Sequence, residues 1–270
     1  MADILNSYSM TGVCGALALA LGVEAPAQAE AANEQLLALV QNGTAGGKVD
    51  RIFMYNPDAI GMWVNQKYTS LFNPVMRHTS LALPLRTVMP SVTPVCFGTM
   101  YTGAMPAVHG IQRYEKPVIR IDTIFDALIR AGKKCAIIGD EECSLSHIFL
   151  ERNMDYFVME SLDAINEKAL ELIDRDEYDL IVCYNGNYDA VMHKNGPEAE
   201  ISLEQIRHNA AAFDAIAKAI KEKWQAHDTL LGFAMDHGCH EIDGQCGSHG
   251  LDMPEDLNVM HHYALIPKTK

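Results

Sequence analysis

Six residues able to bind a divalent cation are spread through this 270-residue chain: Asp58, Asp189, His193, Asp236, His237 and His249. Four of them form two pairs, Asp189-Ala-Val-Met-His193 and Asp236-His237, and each pair follows an apolar stretch that reads as a buried strand. Imidazole nitrogen and carboxylate oxygen are the donors that zinc and similar ions take in sites with an open position for substrate. Six such donors suggest two ions. Two ions about 4 Å apart can clamp both the attacking and the leaving oxygen of an in-line displacement at phosphorus. A nucleophile for such a site is available in Thr93, a hydroxyl among the small and apolar residues of Met89-Pro-Ser-Val-Thr-Pro-Val-Cys-Phe-Gly-Thr-Met-Tyr-Thr-Gly103. A threonine held on a metal is activated without a neighbouring general base.

Each residue also has an ordinary reading when taken alone. Asp58 after Asn56-Pro57 suits a turn or a helix cap. Thr93 suits a strand end, and Asp189 with His193 suits an i, i+4 pair on a helix surface. Asp236-His237 resists this reading, because an acid and an imidazole at a buried strand end pay a desolvation cost unless paired or metallated. His109, His240, His261 and His262 read as bracing or structural residues. Of these, His240, with Glu241, is the best placed to orient a ligand or touch substrate.

The segment Pro90-Ser-Val-Thr93, followed by Tyr101-Thr-Gly103 and Pro106-x-x-His109-Gly-Ile111, resembles the nucleophile segment of the nucleotide pyrophosphatase and type I phosphodiesterase branch of the alkaline phosphatase superfamily. Tyr184-x4-Asp189-x3-His193-x2-Gly196-Pro197, Asp236-His-Gly238 and Gly247-Ser-His-Gly250 continue the resemblance in chain order, from about Asp50 to the C-terminus. It implies that Asp58, Thr93, Asp236 and His237 bind one metal and that Asp189, His193 and His249 bind the other. Thr93 is then the nucleophile, through a phospho-threonine intermediate. The implied activity is that of a dimetal phosphodiesterase or nucleotide pyrophosphatase-like hydrolase acting on a small phosphorylated substrate. Phosphomonoesterase, phosphonate hydrolase and phosphosugar mutase chemistry on the same metal site are the alternatives, with a metal-binding protein lacking turnover behind them. The ions are expected to be zinc, with manganese or iron also compatible with a mixed nitrogen and oxygen site. The sulfatase variant is disfavoured, because Cys96 is followed by Phe-Gly-Thr and not by proline and arginine.

The branch carries an asparagine shortly after its His-Gly-Ile triplet to hold the phosphoryl oxygens, and this chain has Gln112-Arg-Tyr-Glu-Lys116 there. Oxyanion stabilisation therefore falls to Lys116, Arg113 or the backbone N–H of Thr93. Tyr114, Trp63, Tyr68 and Phe72 are aromatic candidates for stacking a base or aryl group.

The elements that must position these residues follow from apolar periodicity. Strands are expected at Val49–Tyr55, Lys134–Gly139, Tyr178–Tyr184, Leu230–Met235 and His262–Pro267, with an apolar run at Leu81–Leu85. Helices are expected over Ile121–Ala131, Ser161–Arg175 and Ile201–Trp224. Alternation of short apolar strands with helices predicts a doubly wound, mostly parallel α/β sheet with helices on both faces, in a single domain spanning 1–270. Each ligand pair then sits just past a strand end, where open α/β sheets bind ligands.

Composition narrows the function classes. A chain with 49% hydrophobic residues can bury a sizeable core, and a formal net charge of −14 argues against a nucleic-acid polymer as partner. Bound cations would invert the local field for an anionic small substrate. Seven cysteines without a CxxC pair read as reduced thiols in a cytoplasmic protein, with Cys239 and Cys246 left open as a disulfide or soft ligand pair. The apolar Gly12–Val23 run lacks a basic n-region before it and is too short for a membrane span, so it reads as a buried helix ending near Gly22. Leu21-Gly-Val-x-x-Pro26 is similar to a helix that superfamily members carry near their C-terminus.

Overall fold

The computed structural model describes residues 4–269. Its strands are β1 (Tyr8–Ser9), β2 (Arg51–Pro57), β3 (Leu81–Arg86), β4 (Cys135–Gly139), β5 (Asp155–Val158), β6 (Leu180–Asn185), β7 (Thr229–Phe233), β8 (His240–Ile242), β9 (Cys246–Ser248) and β10 (Asn258–Ile266). Eight of them form one sheet in the order β1-β3-β10-β7-β2-β6-β4-β5. All neighbours in it are parallel except those of β10, which runs antiparallel to β3 and β7. β8 and β9 pair separately as a short antiparallel ribbon.

The apolar runs become strands because helices cover both faces, so near-continuous burial replaces alternation. Every residue of β4, β6 and β7 is buried, as are six of the seven in β2. The helices gather into two packed groups. One contains Gly12–Ala20, Thr93–Thr102, Ile124–Arg130 and Ser144–Ile148; the other is built on the 24-residue helix Glu200–Lys223 with Leu162–Arg175 and Asn187–Asn195.

Helix boundaries follow local chemistry. Ser161 caps its helix by accepting from the Ala164 N–H at 3.2 Å, and Thr123 and Asp126 form a reciprocal capping box. The apolar Gly12–Ala20 helix is buried on nearly every side and ends before Gly22, whose φ of +74° suits a residue without Cβ. Among the described residues, no helix is long and apolar enough to cross a membrane.

Two features differ from the sequence expectation. The last sheet strand begins at Asn258, four residues before His262, because Asn258 to Met260 pair with Pro84, Leu85 and Arg86 of β3 before β10 reaches β7. Thr93 lies at the first position of a helix and not at a strand end.

All seven cysteines are free, and only Cys246 is not fully buried. Cys239 lies 3.6 Å from the Tyr188 hydroxyl, while Cys246 donates to the carbonyl of Lys194 at 3.8 Å, so the two are plain thiols and not a bridge. Burial pushes the thiols of Cys135, Cys143 and Cys239 up to about 12. A thiolate-directed reagent therefore labels Cys246 alone in the native protein at pH 8 and all seven in denaturant. Rapid native labelling of two or more thiols, counted by intact mass, would contradict this packing.

Candidate metal centre

The sheet order explains how ligands far apart in sequence meet. β7, β2 and β6 are adjacent and parallel, so their C-terminal ends lie side by side. Asp58 follows β2 directly, Asp189 and His193 ride on the helix Asn187–Asn195 after β6, and Asp236 and His237 follow β7. β3 runs in the same direction as β7, since both are antiparallel to β10, and the loop after it delivers Thr93. His249 comes from the segment after the β8–β9 ribbon.

Two groups result, Asp58 with Asp236 and His237, and Asp189 with His193 and His249. Within each, one donor atom per residue lies within 4.8 Å of the others. The rings of His237 and His249 stand 4.2 Å apart, which makes the groups neighbours. Asp58 is 1% exposed, and Asp236 and His237 are fully buried.

The hydrogen-bond pattern requires a cation or protons. His193 Nδ1 lies 3.0 Å from the carbonyl of Gly247, His237 Nδ1 2.9 Å from that of Gly238, and His249 Nδ1 3.0 Å from that of Ser91. A carbonyl oxygen only accepts, so each Nδ1 carries the proton and each neutral ring presents a lone pair at Nε2. These lone pairs face further acceptors. His193 Nε2 is 3.1 Å from His249 Nε2, and Asp189 Oδ1 is 3.2 and 3.3 Å from the two. His237 Nε2 is 3.4 Å from Asp58 Oδ1 and 3.3 Å from Asp236 Oδ2. Asp58 Oδ1, Asp189 Oδ1 and Asp236 Oδ2 are buried with no hydrogen-bond partner. Buried carboxylates are not left so without compensation. The residues therefore fit a divalent cation in each group.

The electrostatics of the two groups differ. Burial pushes Asp58 up to about 7, with the charge of Asp189 adding to it, and burial with the charge of Asp58 raises Asp236 well above the carboxylate range. Burial also holds the His237 imidazole down, to about 3. Burial works to raise Asp189 too, but its close approach to the His193 and His249 imidazoles outweighs burial and keeps that carboxyl below its usual range. The pair of acids around one imidazole is thus the group most in need of a cation.

Thr93 Oγ1 donates to Asp58 Oδ2 at 3.3 Å and lies 3.3 Å from His237 Nε2, so it sits at the edge of the first group. It is the first residue of the helix Thr93–Thr102 and is 4% exposed. Pro94 follows it and supplies no N–H.

Sequence reading missed Tyr184 as a site residue. Its hydroxyl donates to Asp58 Oδ2 at 2.5 Å, and only the tyrosine of the quoted Tyr184-x4-Asp189 spacing hinted at it. It also missed Asp256, fully buried, whose carboxylate takes His240 Nδ1 and the Leu251 N–H, both at 2.8 Å, while its carbonyl accepts the Gly238 N–H at 2.8 Å. Asp256 ties the Asp236 and His249 segments together, and no local motif marks it. Gly238 is required there, since a Cβ would lie 1.9 Å from the Glu255 carbonyl oxygen. Ala59 adopts φ +63° beside Asp58 and donates its N–H to Asp236 Oδ1 at 3.1 Å, a strained residue of the kind that clusters at functional sites.

The remaining candidates fall elsewhere. Arg113 pairs with Glu115 at 2.8 Å, Lys116 donates to the Glu142 carbonyl at 2.6 Å, and Tyr114 is 62% exposed. Among the described residues, none of the three bonds to a residue of either ligand group. Phe72 belongs to the core, and Tyr68 donates to Glu198 at 2.6 Å. His109 braces its loop through Thr99 at 3.1 Å and the Ile111 N–H at 3.3 Å. His261 and His262 are buried structural imidazoles on β10, the first 2.6 Å from the Met235 carbonyl and the second 3.0 Å from Asn65.

No family model matches the chain, and no curated protein matches it in sequence. Solved structures match its fold. Murine ectonucleotide pyrophosphatase/phosphodiesterase 5 superposes with a TM-score of 0.61 at 15% identity, over 72% of this chain and 59% of that one. An inactive threonine-to-alanine form of the murine protein, in complex with AMP, gives 0.59 at 15% identity over 73% and 59%. The human counterpart gives 0.58 at 15% identity over 72% and 58%. The chain spans 59% of the length of the first of these structures. The mostly parallel sheet with helices on both faces thus has the alkaline phosphatase-like fold of these nucleotide pyrophosphatase/phosphodiesterase structures.

Proposed function

We propose that this chain is a dimetal phosphodiesterase or nucleotide pyrophosphatase-like hydrolase, one catalytic domain with Thr93 as nucleophile. The observation that carries this reading is the Thr93 hydroxyl held between Asp58 and His237 at the edge of a buried group of cation-binding atoms. The neighbour whose threonine-to-alanine form is inactive and holds AMP agrees with a threonine in this role and with a small phosphorylated substrate.

Asp58, Thr93, Asp236 and His237 would hold one ion and Asp189, His193 and His249 the other. When bound, such ions supply Lewis-acid polarisation of phosphoryl oxygen and lower the proton affinity of oxygens they contact. Zinc suits the donor set best. The chain's own residues do the rest. Asp58 Oδ2 accepts the Thr93 hydroxyl hydrogen bond, so it can take the Thr93 proton as Oγ1 attacks phosphorus, and it is itself anchored by the Tyr184 hydroxyl, which holds this pair in place. The Thr93 backbone N–H, at the N-terminus of a ten-residue helix, can donate to a phosphoryl oxygen where charge develops. Lys116 and Arg113, each bonded to a glutamate, are weaker candidates for that task. The free thiols fit a reducing compartment such as the cytoplasm.

The test is a paired assay of zinc-loaded protein on bis(p-nitrophenyl) phosphate and p-nitrophenyl phosphate. Faster release from the diester is expected. A preference for the monoester would transfer the assignment to a phosphatase or mutase on the same site.

A further inference from the structure

Among the described residues, eight of the nine arginines pair with a carboxylate, and the exception is Arg86. A lone guanidinium is unexpected in a chain with 35 acidic residues and a formal net charge of −14. Arg86 closes β3, where its backbone is held between Ser9 of β1 and Asn258 of β10, and its carbonyl accepts the Met10 N–H at 2.9 Å. Its side chain therefore starts from rigid backbone.

Arg86 lines a cavity of about 240 Å³. Asp252 is the other charged residue in that lining, and its carboxylate likewise has no ion pair or hydrogen bond among the described residues. The two share one space without pairing with each other. Most of the remaining lining is apolar, including Leu5, Leu257 and the half-exposed thioethers of Met89 and Met105. A cation and an anion that face one space without meeting are both satisfied only by a guest that carries both charges; a simple anion or cation leaves one of them unmet. Thioether side chains adapt to an aliphatic or aromatic body. The volume lies below the roughly 300–1,000 Å³ of sites for drug-sized ligands, which limits the guest to a small molecule.

We propose that this cavity binds a free amino acid with an apolar side chain, its carboxylate on Arg86, its ammonium on Asp252 and its side chain against Met89 and Met105. No residue of either ligand group lines the cavity, so the site is separate from the metal centre. The chain nevertheless joins the two. The wall segment at Met89 leads into Thr93, Asp252 follows His249 by three residues, and the Ser91 carbonyl accepts from His249 Nδ1 at 3.0 Å. A guest bridging Arg86 and Asp252 thus clamps together the segments that deliver Thr93 and His249. The inference accounts for two unpaired charges that the hydrolytic site does not use, and it stands whether or not the chain hydrolyses a phosphodiester.

Calorimetry on zinc-loaded protein tests it by comparing L-leucine with 4-methylpentanoate, which lacks the ammonium, and with 3-methylbutylamine, which lacks the carboxylate. Leucine is expected to bind at least about tenfold more tightly than either, the size of one lost charge-assisted hydrogen bond. Arg86→Gln should bring leucine down to the level of the amine and Asp252→Asn to that of the acid. Neither side chain bonds within the protein, so both variants should keep the wild-type Tm. The location is read separately, on the wild-type protein, from peptide masses after dilute hydrogen peroxide: saturating leucine should slow sulfoxide formation at Met89 and Met105. Absence of leucine binding, or equal affinity for the three compounds, would overturn the site. Leucine binding that survives both variants and leaves Met89 and Met105 unshielded, as chelation of zinc by the amino acid would, overturns it as well.

Discussion

Thr93→Ala loses on the order of 10⁴-fold or more in kcat on the diester while still binding zinc, because removing a nucleophile leaves only positioning and electrostatics to act. The substitution removes one hydroxyl at the first position of a helix, whose contacts are two long ones, 3.3 Å each, to Asp58 and His237. Stability should consequently change little, and the melting temperature separates chemistry from folding. Steady-state kinetics with metal analysis on the same preparations is the check. A variant that retains wild-type kcat would refute the nucleophile assignment. One that loses both kcat and zinc would move Thr93 from nucleophile to indispensable ligand.

Chelation produces the second large effect. Without a cation, the Asp58 and Asp236 carboxyls face each other and His237 in a buried space. A metal that binds the folded chain and not the unfolded one stabilises by about 4 kcal/mol per site when free metal exceeds Kd a thousandfold. For a chain of this size, that corresponds to a fall of roughly 10 °C or more in Tm on chelation, together with loss of turnover. Calorimetry with EDTA, followed by readdition of zinc, measures both. Unchanged Tm and activity after chelation would show that the two groups are satisfied by protons alone.

Much of the fold was legible because the parallel strands are buried on both faces and read as short apolar runs. β2, β4, β6 and β7 lie within two residues of their expected starts and ends, and the helix over Ile201–Trp224 is displaced by a single residue at each end. The elements that escaped carry too little pattern to be seen. β1 has two residues, β8 and β9 three each, and β5 alternates weakly at the sheet edge. The six candidate cation-binding residues could be named from sequence since their types and their positions after apolar runs are local properties, and the fold brings them into two groups. Their grouping into Asp58/Asp236/His237 and Asp189/His193/His249 came through resemblance, and the structure supplies the reason in the β7-β2-β6 order. Tyr184 and Asp256 escaped because their roles depend on partners 126 and 16 residues away. Arg113, Tyr114 and Lys116 were nominated from proximity in sequence to the His109-Gly-Ile111 triplet. In the fold, Arg113 and Lys116 turn to Glu115 and Glu142.

Two ions, one in each group of cation-binding residues, are what the proposed chemistry requires. Anomalous diffraction at the zinc edge from crystals of zinc-loaded protein tests this requirement most directly. Two peaks are expected, one among Asp58, Asp236 and His237 and one among Asp189, His193 and His249. A single peak, or none, would contradict it.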